Sequence, residues 1–479
     1  MIRRSSSDRA PRSHRFPRPS VSSRAALAVA VCLCGAAPLL TSAAALAAEN
    51  DLWAAGFDTL GTDATVRAFT QDSQGYLIAG GDFTMAGTAA AGHVASFDGS
   101  AWSPLGAGVD GPVYALAKYR NEIVAGGYFT TAGGAPAASI ARWDGSAWHP
   151  LGGGVNGVVF ALAVYDTFLV AAGSFNQAGA ASALNVARWD GANWTALGSG
   201  LGSDVYALTV HGDALYAAGA FTQSGATSVK YVARWTGTAW APLGAGLNYH
   251  SYALASLGSN LYVGGYFTTA GGATARGIAR WNGSAWSAVG GGTVGFVSCL
   301  EVYDGALHVG GEFEDVGGVP ARNIARWTGA AWDALGDGVD FDVFALRTHV
   351  ASLFVGGAFT TAGLKPSQYV GRWDGIVVDA GEPAAPSGLA LAAAGPNPFT
   401  RQARLTYALP QAGRVRLAVH DVRGRRLAVL ADGFAAAGRH VAAWDGRDAQ
   451  GADAPAGVYF ARLETEQGTR TRPLVRIAR

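Results

Sequence analysis

Cysteine, methionine and charge are all scarce in this sequence. Of three cysteines in 479 residues, Cys32 and Cys34 lie in an apolar run near the N-terminus, which leaves Cys299 alone in the body of the chain. One thiol excludes a disulfide scaffold and any metal site built on several thiolates. Charged residues make up only 14%, against 49% hydrophobic, so the chain has ample apolar surface for a core and is not disordered. The 68 glycines, about twice the usual share, rule out long helices. Past the N-terminal run, no segment is apolar for long enough to span a membrane.

What is present begins with a leader. Residues 1–47 hold seven arginines and one acid, then an uncharged stretch from Ala25 to Leu40, then Ala45-Leu46-Ala47. A basic start, a short apolar run and small residues before a cleavage point read as a secretory signal peptide. The run is broken by Pro38 and falls short of the roughly 20 residues that cross a bilayer. The rest of the chain carries 28 basic and 33 acidic residues, unevenly placed: 14 and 7 in residues 384–479, and so 14 and 26 in residues 48–383. An acidic body and a basic tail imply two domains, and the acidic body excludes nucleic acid as a partner.

A motif of small residues ending in phenylalanine, such as IAGGDF and YVGGYF, recurs with Phe83, Phe129, Phe175, Phe221, Phe267, Phe313 and Phe359 at a constant interval of 46. Fourteen residues after each stands a second aromatic, Phe97 and then Trp143, Trp189, Trp235, Trp281, Trp327 and Trp373; five further on come Trp102, Trp148, Trp194, Trp240, Trp286 and Trp332. Each unit reads as four short strands, with a pair such as Asp144-Gly145 or Asn282-Gly283 at a tight hairpin between the third and the fourth. Four antiparallel strands in such a unit are one propeller blade. Strands one to three occur seven times, but the tryptophan-bearing fourth strand only six. Phe57-Asp58-Thr59-Leu60-Gly61 has the aromatic-x-x-Leu-Gly pattern of the missing copy, which places Phe57 beside Trp373 and predicts a seven-bladed β-propeller over residues 51–380, closed by its own N-terminal strand. The glycine doublet, the aromatic after it and the tryptophan beyond resemble a kelch-type repeat.

After a short linker, residues 381–393, the repeat stops and strands with period-two alternation follow, as at Val415, Leu417 and Val419 between arginines. Residues 394–479 read as an Ig-like β-sandwich. Gly395-Pro396-Asn397-Pro398-Phe399, Asp421-Val422-Arg423-Gly424-Arg425, Trp444-Asp445-Gly446-Arg447-Asp448 and Gly457-Val458-Tyr459-Phe460 resemble the C-terminal domain of proteins exported by bacterial type IX secretion and the Ig-like domain of flagellar hook-capping proteins. That resemblance implies bacterial export machinery as a partner and an outer cell surface or extracellular destination. The predicted fold class is thus all-β, a seven-bladed propeller with a C-terminal Ig-like sandwich.

No catalytic constellation is legible. The histidines fall at different places in the repeat and none stands in ligand spacing. The aromatic ladder reads as core. The recurring Arg142, Arg188, Arg234, Arg280, Arg326 and Arg372 read as stems packed between blades with heads on backbone carbonyls. Glycine runs such as Gly152-Gly153-Gly154 lack the helix a phosphate loop requires. Variation concentrates in the connections from strand two to three and from four to one. There Asn248, Tyr249 and His250 are polar and aromatic where their siblings carry Gly or Val, and are the candidate ligand contacts. Glu312, Glu314, Asp315, Asp340 and Asp342 are the candidate calcium ligands, with no other cofactor indicated. The function these features predict is a secreted, non-enzymatic module that binds an extracellular protein or glycan. The alternative is a polysaccharide hydrolase or lyase working through acids such as Asp340 and Asp342.

Overall fold

The computed structural model describes residues 52–375, 389–393, 399, 403–411, 413–435, 438–448 and 452–477. The expected signal peptide and most of the expected linker lie outside these residues. Every regular element described is a β-strand.

Residues 66–373 form seven consecutive antiparallel sheets, one per repeat. The second is representative: Val113–Tyr119, Glu122–Gly127, Ile140–Trp143 and Trp148–Pro150 lie side by side in chain order. The turn into the fourth strand is set by Asp144, whose Oδ1 accepts from the backbone N–H of Ser146 and Ala147, while Gly145 takes φ 102°. Two-residue ladders, such as Thr131–Ala132 with Ala135–Pro136, stiffen the connection between strands two and three.

Strand one carries a β-bulge in all seven sheets, between Val66 and Ala68 and at each equivalent pair down to Val343 and Ala345. The bulge explains the glycine doublet. A Cβ on its second glycine would run into the backbone carbonyl just before the bulge, that of Thr65 for Gly81 and Pro112 for Gly127, and this position is glycine in every repeat. The first glycine faces the next sheet. Its Cβ would sit 2.6 Å from Val113 at Gly80, 2.6 Å from Val343 at Gly310 and 2.7 Å from Val66 at Gly356. Sheet seven therefore packs on sheet one as each other sheet packs on its successor. The space between sheets is filled by the predicted ladder: Phe83, Phe221, Phe267 and Phe359 are fully buried and Trp148, Trp194 and Trp332 nearly so.

At the seam the structure corrects the sequence reading by one landmark. Trp53, not Phe57, takes the place of the missing fourth-strand tryptophan. It bridges to Trp373 as Trp148 does to Trp143, with the rings 5.2 Å apart, and Ala54 N–H donates to the Arg372 carbonyl at 2.8 Å. Its indole donates to Leu335 O at 3.0 Å, matching Trp148 to Leu105 and Trp194 to Leu151. Phe57 instead fills the space between sheets seven and one, against Phe97 and Phe354. Six residues separate Trp53 from Leu60 where the other repeats have two, so the later Phe57 imitates the motif.

The tail forms two further sheets. One orders Ala390–Ala393, Ala403–Leu409 and Gly438–Trp444; the other orders Arg426–Ala435, Gly413–Asp421, Gly457–Thr465 and Gly468–Arg476. Leu405, Leu417, Val419, Ala461 and Leu463 are fully buried between them, and Trp444 packs edge-on against Phe399 and Tyr459. Alternation along Gly413–Asp421 is why one face buries while Arg414 and Arg416 stay exposed.

Replacing Trp53 with alanine removes an indole that is 1% exposed, its hydrogen bond and its contact with Trp373. Trp53→Ala is expected to lower stability by about 3–5 kcal/mol in urea unfolding; an unchanged midpoint would show that this segment does not hold the seam.

Candidate functional site

The bulges, strand two-to-three turns and four-to-one connections lie at one end of the sheets, and the sheets build a site there from seven equivalent positions. Each bulge leaves one residue of strand one out of the strand-to-strand register: Arg67, Tyr114, Phe160, Tyr206, Tyr252, Ser298 and Phe344. A residue released in this way is re-aimed out of its strand, and here successive ones meet. Ring centroids are 5.7 Å apart for Tyr114 and Phe160, 5.6 Å for Phe160 and Tyr206, and 5.2 Å for Tyr206 and Tyr252. The Arg67 guanidinium lies over Tyr114 at 5.4 Å and over Phe344 at 5.2 Å, so it joins the bulge residues of sheets two and seven. Asp82 holds that guanidinium by a fork of two 2.7 Å hydrogen bonds. Burial raises the phenol pKa of Tyr206 and pushes that of Tyr252 up to about 12, so both stay neutral donors.

Tyr249 and His250 stand beside this run. Their rings stack at 4.2 Å and 14°, with Tyr231 and Tyr266 at 6.2 and 5.9 Å from Tyr249. Phe296 joins Tyr266 to Tyr252. Burial lowers the His250 pKa against the opposite pull of Asp204, which favours a neutral imidazole. Tyr249 and Tyr266 are 43% and 47% exposed, so they present aromatic surface to solvent.

Asn248 has a different task from these neighbours. Its Oδ1 accepts from the backbone N–H of Thr268 and Thr269, both at 2.9 Å, and its Nδ2 donates to Thr268 Oγ1. The same clasp between the four-to-one and two-to-three connections is made by Asp63 on Thr84 and Met85, Asp110 on Thr130 and Thr131, Asn156 on Asn176 and Gln177, and Asp340 on Thr360 and Thr361. Asp340 thus uses Oδ1 for two amides and Oδ2 for the Thr360 hydroxyl. Of the other expected calcium ligands, Asp315 Oδ1 accepts from Gly318 N–H, Glu312 and Glu314 are exposed, and Asp342 is half-buried. The structure does not bring these five together, and among the described residues no three His, Cys, Asp or Glu side chains are placed to hold a metal.

The repeating arginines also differ from expectation. Their heads meet side chains that change from repeat to repeat rather than backbone carbonyls: Glu122 for Arg142, Asp333 for Arg326, Asp374 for Arg372, Thr195 for Arg188 and Ser287 for Arg280. Thr195, Ser287 and Asp333 stand seven residues after their arginines but differ in type, and Glu122 and Asp374 lie elsewhere in the repeat, so no repeated residue in the sequence reveals the partner. Cys299 packs toward the Val343 carbonyl, and burial pushes its thiol up to about 12.

Comparison with known proteins assigns the tail. Residues 397–469 match the FlgD Ig-like domain. No curated protein matches the chain. Among solved structures, PorZ, described as an essential bacterial surface component of the type-IX secretion system of Porphyromonas gingivalis, aligns with a TM-score of 0.42 and 14% identity over 86% of this chain and 59% of its own. FLGD from P. aeruginosa aligns with a TM-score of 0.15 and 20% identity over 20% of this chain and 76% of its own. The chain therefore spans less than two thirds of PorZ, and what PorZ does is a statement about PorZ. No described helix is long and apolar enough to cross a membrane.

The clasps give the protein an acid-sensitive element. Burial alone would raise the Asp110 pKa, but bonds from the Thr130 hydroxyl and the Thr130 and Thr131 amides outweigh it and bring the pKa from 3.8 to about 2. A depressed carboxylate contributes stability that is present above its unfolded pKa and lost as pH falls through the folded one. Relative to Asp110→Asn, which keeps the amide acceptor seen at Asn156 and Asn248, the parent is expected to lose stability as pH falls from about 4 to about 2. Urea midpoints that fall in parallel for both proteins would remove the clasp from the acid response.

Proposed function

We propose that this chain is a secreted or cell-surface bacterial protein whose repeats close into a seven-bladed, kelch-type β-propeller. In this reading the end carrying the bulges binds an extracellular protein or glycan, and the Ig-like tail serves export or anchoring. The observation that carries the recognition role is the clustering of exposed Tyr249 and Tyr266 with His250, Tyr231 and Phe296 beside the bulge residues. Aromatic side chains lose little entropy on binding and offer both an apolar face and a polar edge. The FlgD Ig-like match, the basic tail and the signal-like leader are mutually consistent with export.

Binding is favoured over hydrolysis because Asp340, the acid best placed by sequence for catalysis, has both carboxylate oxygens committed to the turn it clasps. A general acid or base needs an oxygen within reach of substrate. The double substitution Tyr249→Ala with His250→Ala is expected to weaken capture of an extracellular partner, read on a glycan array or by pull-down from cell-surface extract, by at least about tenfold with no change in melting. Undiminished capture would refute the assignment of recognition to this patch.

The tail is tested separately. Deleting residues 384–479 is expected to leave a folded repeat domain that fails to reach the cell surface. Normal surface delivery of the truncated protein would refute the sorting role.

A further inference from the structure

The bulge end of sheets five to seven presents apolar surface beside unneutralised acids. Besides Tyr249 and Tyr266, Phe341 is exposed there, and Val294 is 63% exposed. Tyr249, Gly295 and Phe341 stand one repeat apart at the same place in consecutive sheets, so Val294 belongs to the sheet between those of the two rings. Sheet six also reaches further than the others. Its strands Thr293–Tyr303 and Ala306–Val316 are 11 residues each and stay paired past the first bulge as far as Thr293 with Val316. A second bulge, between Val294 and Gly295, leaves Glu314 out of that register. Glu312 and Glu314 are exposed, and neither makes an ion pair with a described residue.

The tail has a face of the opposite sign. Because Val415, Leu417 and Val419 point inward, Arg414 and Arg416 point outward, and their cross-strand partners Phe434 and Asp432 share that face. Phe434 is 77% exposed, and Val429, opposite Ala418 on the same face, is exposed as well. Asp432 neutralises Arg416. Arg414, directly across from Phe434, and Arg426, across from His420, are exposed and make no ion pair with a described residue.

We infer that these two surfaces bind each other between copies of the chain, the outer face of one molecule's tail resting on the bulge end of another. Each surface combines exposed apolar side chains with charges that have no partner in their own domain, the pattern of an apolar interface centre with a polar rim. The charges are of opposite sign on the two surfaces. The same opposition holds for each part as a whole, since residues 48–383 carry 26 acidic and 14 basic residues and residues 384–479 carry 7 and 14. Complementary fields of this kind set the orientation of docking and disfavour bulge end on bulge end or tail on tail. The contact joins two different surfaces, so it is heterologous, and a third copy can add at either end of a bound pair. This inference rests on the recognition role proposed above and narrows its partner from protein or glycan to a second copy of this chain.

The test is sedimentation velocity on the full chain. The average mass is expected to rise with protein concentration, and to fall toward that of a single chain in about 1 M salt, where charges act over only about 3 Å. Two variants, each checked for unchanged melting, separate the surfaces. Glu312→Lys with Glu314→Lys gives the bulge end the sign of the tail, and Arg414→Glu with Arg426→Glu gives the tail the sign of the bulge end. Each variant alone is expected to need at least about tenfold more protein to associate. Mixed together, they are expected to form two-chain complexes and nothing larger, because only the unaltered tail of the first and the unaltered bulge end of the second still fit. A full chain that stays single at every concentration, association that neither variant weakens, or a mixture that remains single would each overturn the inference. Capture of a different partner through Tyr249, by a chain that stays single, would also overturn it while leaving the recognition role standing.

Discussion

The close approach of neighbouring sheets at the glycine doublet constrains everything else in the repeat domain. At that point the backbone of strand two touches the backbone of strand one in its own sheet and a valine of the sheet beyond, with no room for a side chain on the doublet's second residue. Two consequences follow from one contact. Strand one must bulge to pass the glycine, and the bulge releases one residue per sheet from the ladder. The same feature that packs the sheets therefore supplies the side chains of the candidate site. The released position lies outside the strand ladder, and this is where the repeats diverge into Arg, Tyr, Phe and Ser.

A second constraint acts at the seam. Each fourth-strand tryptophan covers the outer edge of its own sheet, and all but Trp240 donate to a backbone carbonyl of the repeat before, so they link neighbours as well as filling space. Sheet seven has no such residue downstream of Trp373 among those described, and Trp53 provides it from the N-terminal side. The linkage joins residues more than 300 positions apart. A contact of that separation is slow to form and tends to come late in folding, yet it leaves no repeat with an uncovered edge of aromatic core.

Sequence and structure agree where a physical requirement falls on one residue type at a fixed interval. The second glycine of the doublet, the buried phenylalanine after it and the glycine of the strand three-to-four turn meet that condition, so the number and order of sheets were legible. The partner of Trp373 was not, because the extra residues between Trp53 and Leu60 place Phe57 where an unbroken motif would put its aromatic. The clasp escaped notice for a chemical reason: it needs an acceptor oxygen, which Asp63, Asp110, Asn156, Asn248 and Asp340 provide equally, so charge varies while geometry does not. Reading Asp340 as an acid and Asn248 as a polar ligand contact assigned two functions to one structural role. The aromatic run was hidden because a bulge breaks the alternation that identifies which residues share a face.

Rigidity in the frame and freedom at the bulge are what a recognition surface needs from a repeat. Five clasps hold connections against each other, and cross-sheet pairs such as Thr348 N–H with Glu301 Oε1 tie the strand-one ends. Burial raises the Glu301 pKa while Arg347 and the Thr348 bonds oppose it, so even this carboxylate serves the frame. Against such a background a ring or a charge at the bulge is presented with its backbone already fixed, which reduces the entropy that binding must overcome. Arg67 shows the arrangement in use: two aromatic faces and one carboxylate, contributed by three different sheets, converge on a single head group without any loop insertion. An array of equal repeats can therefore acquire a specific site by changing single residues at one released position, and the constant 46-residue spacing is no argument against one.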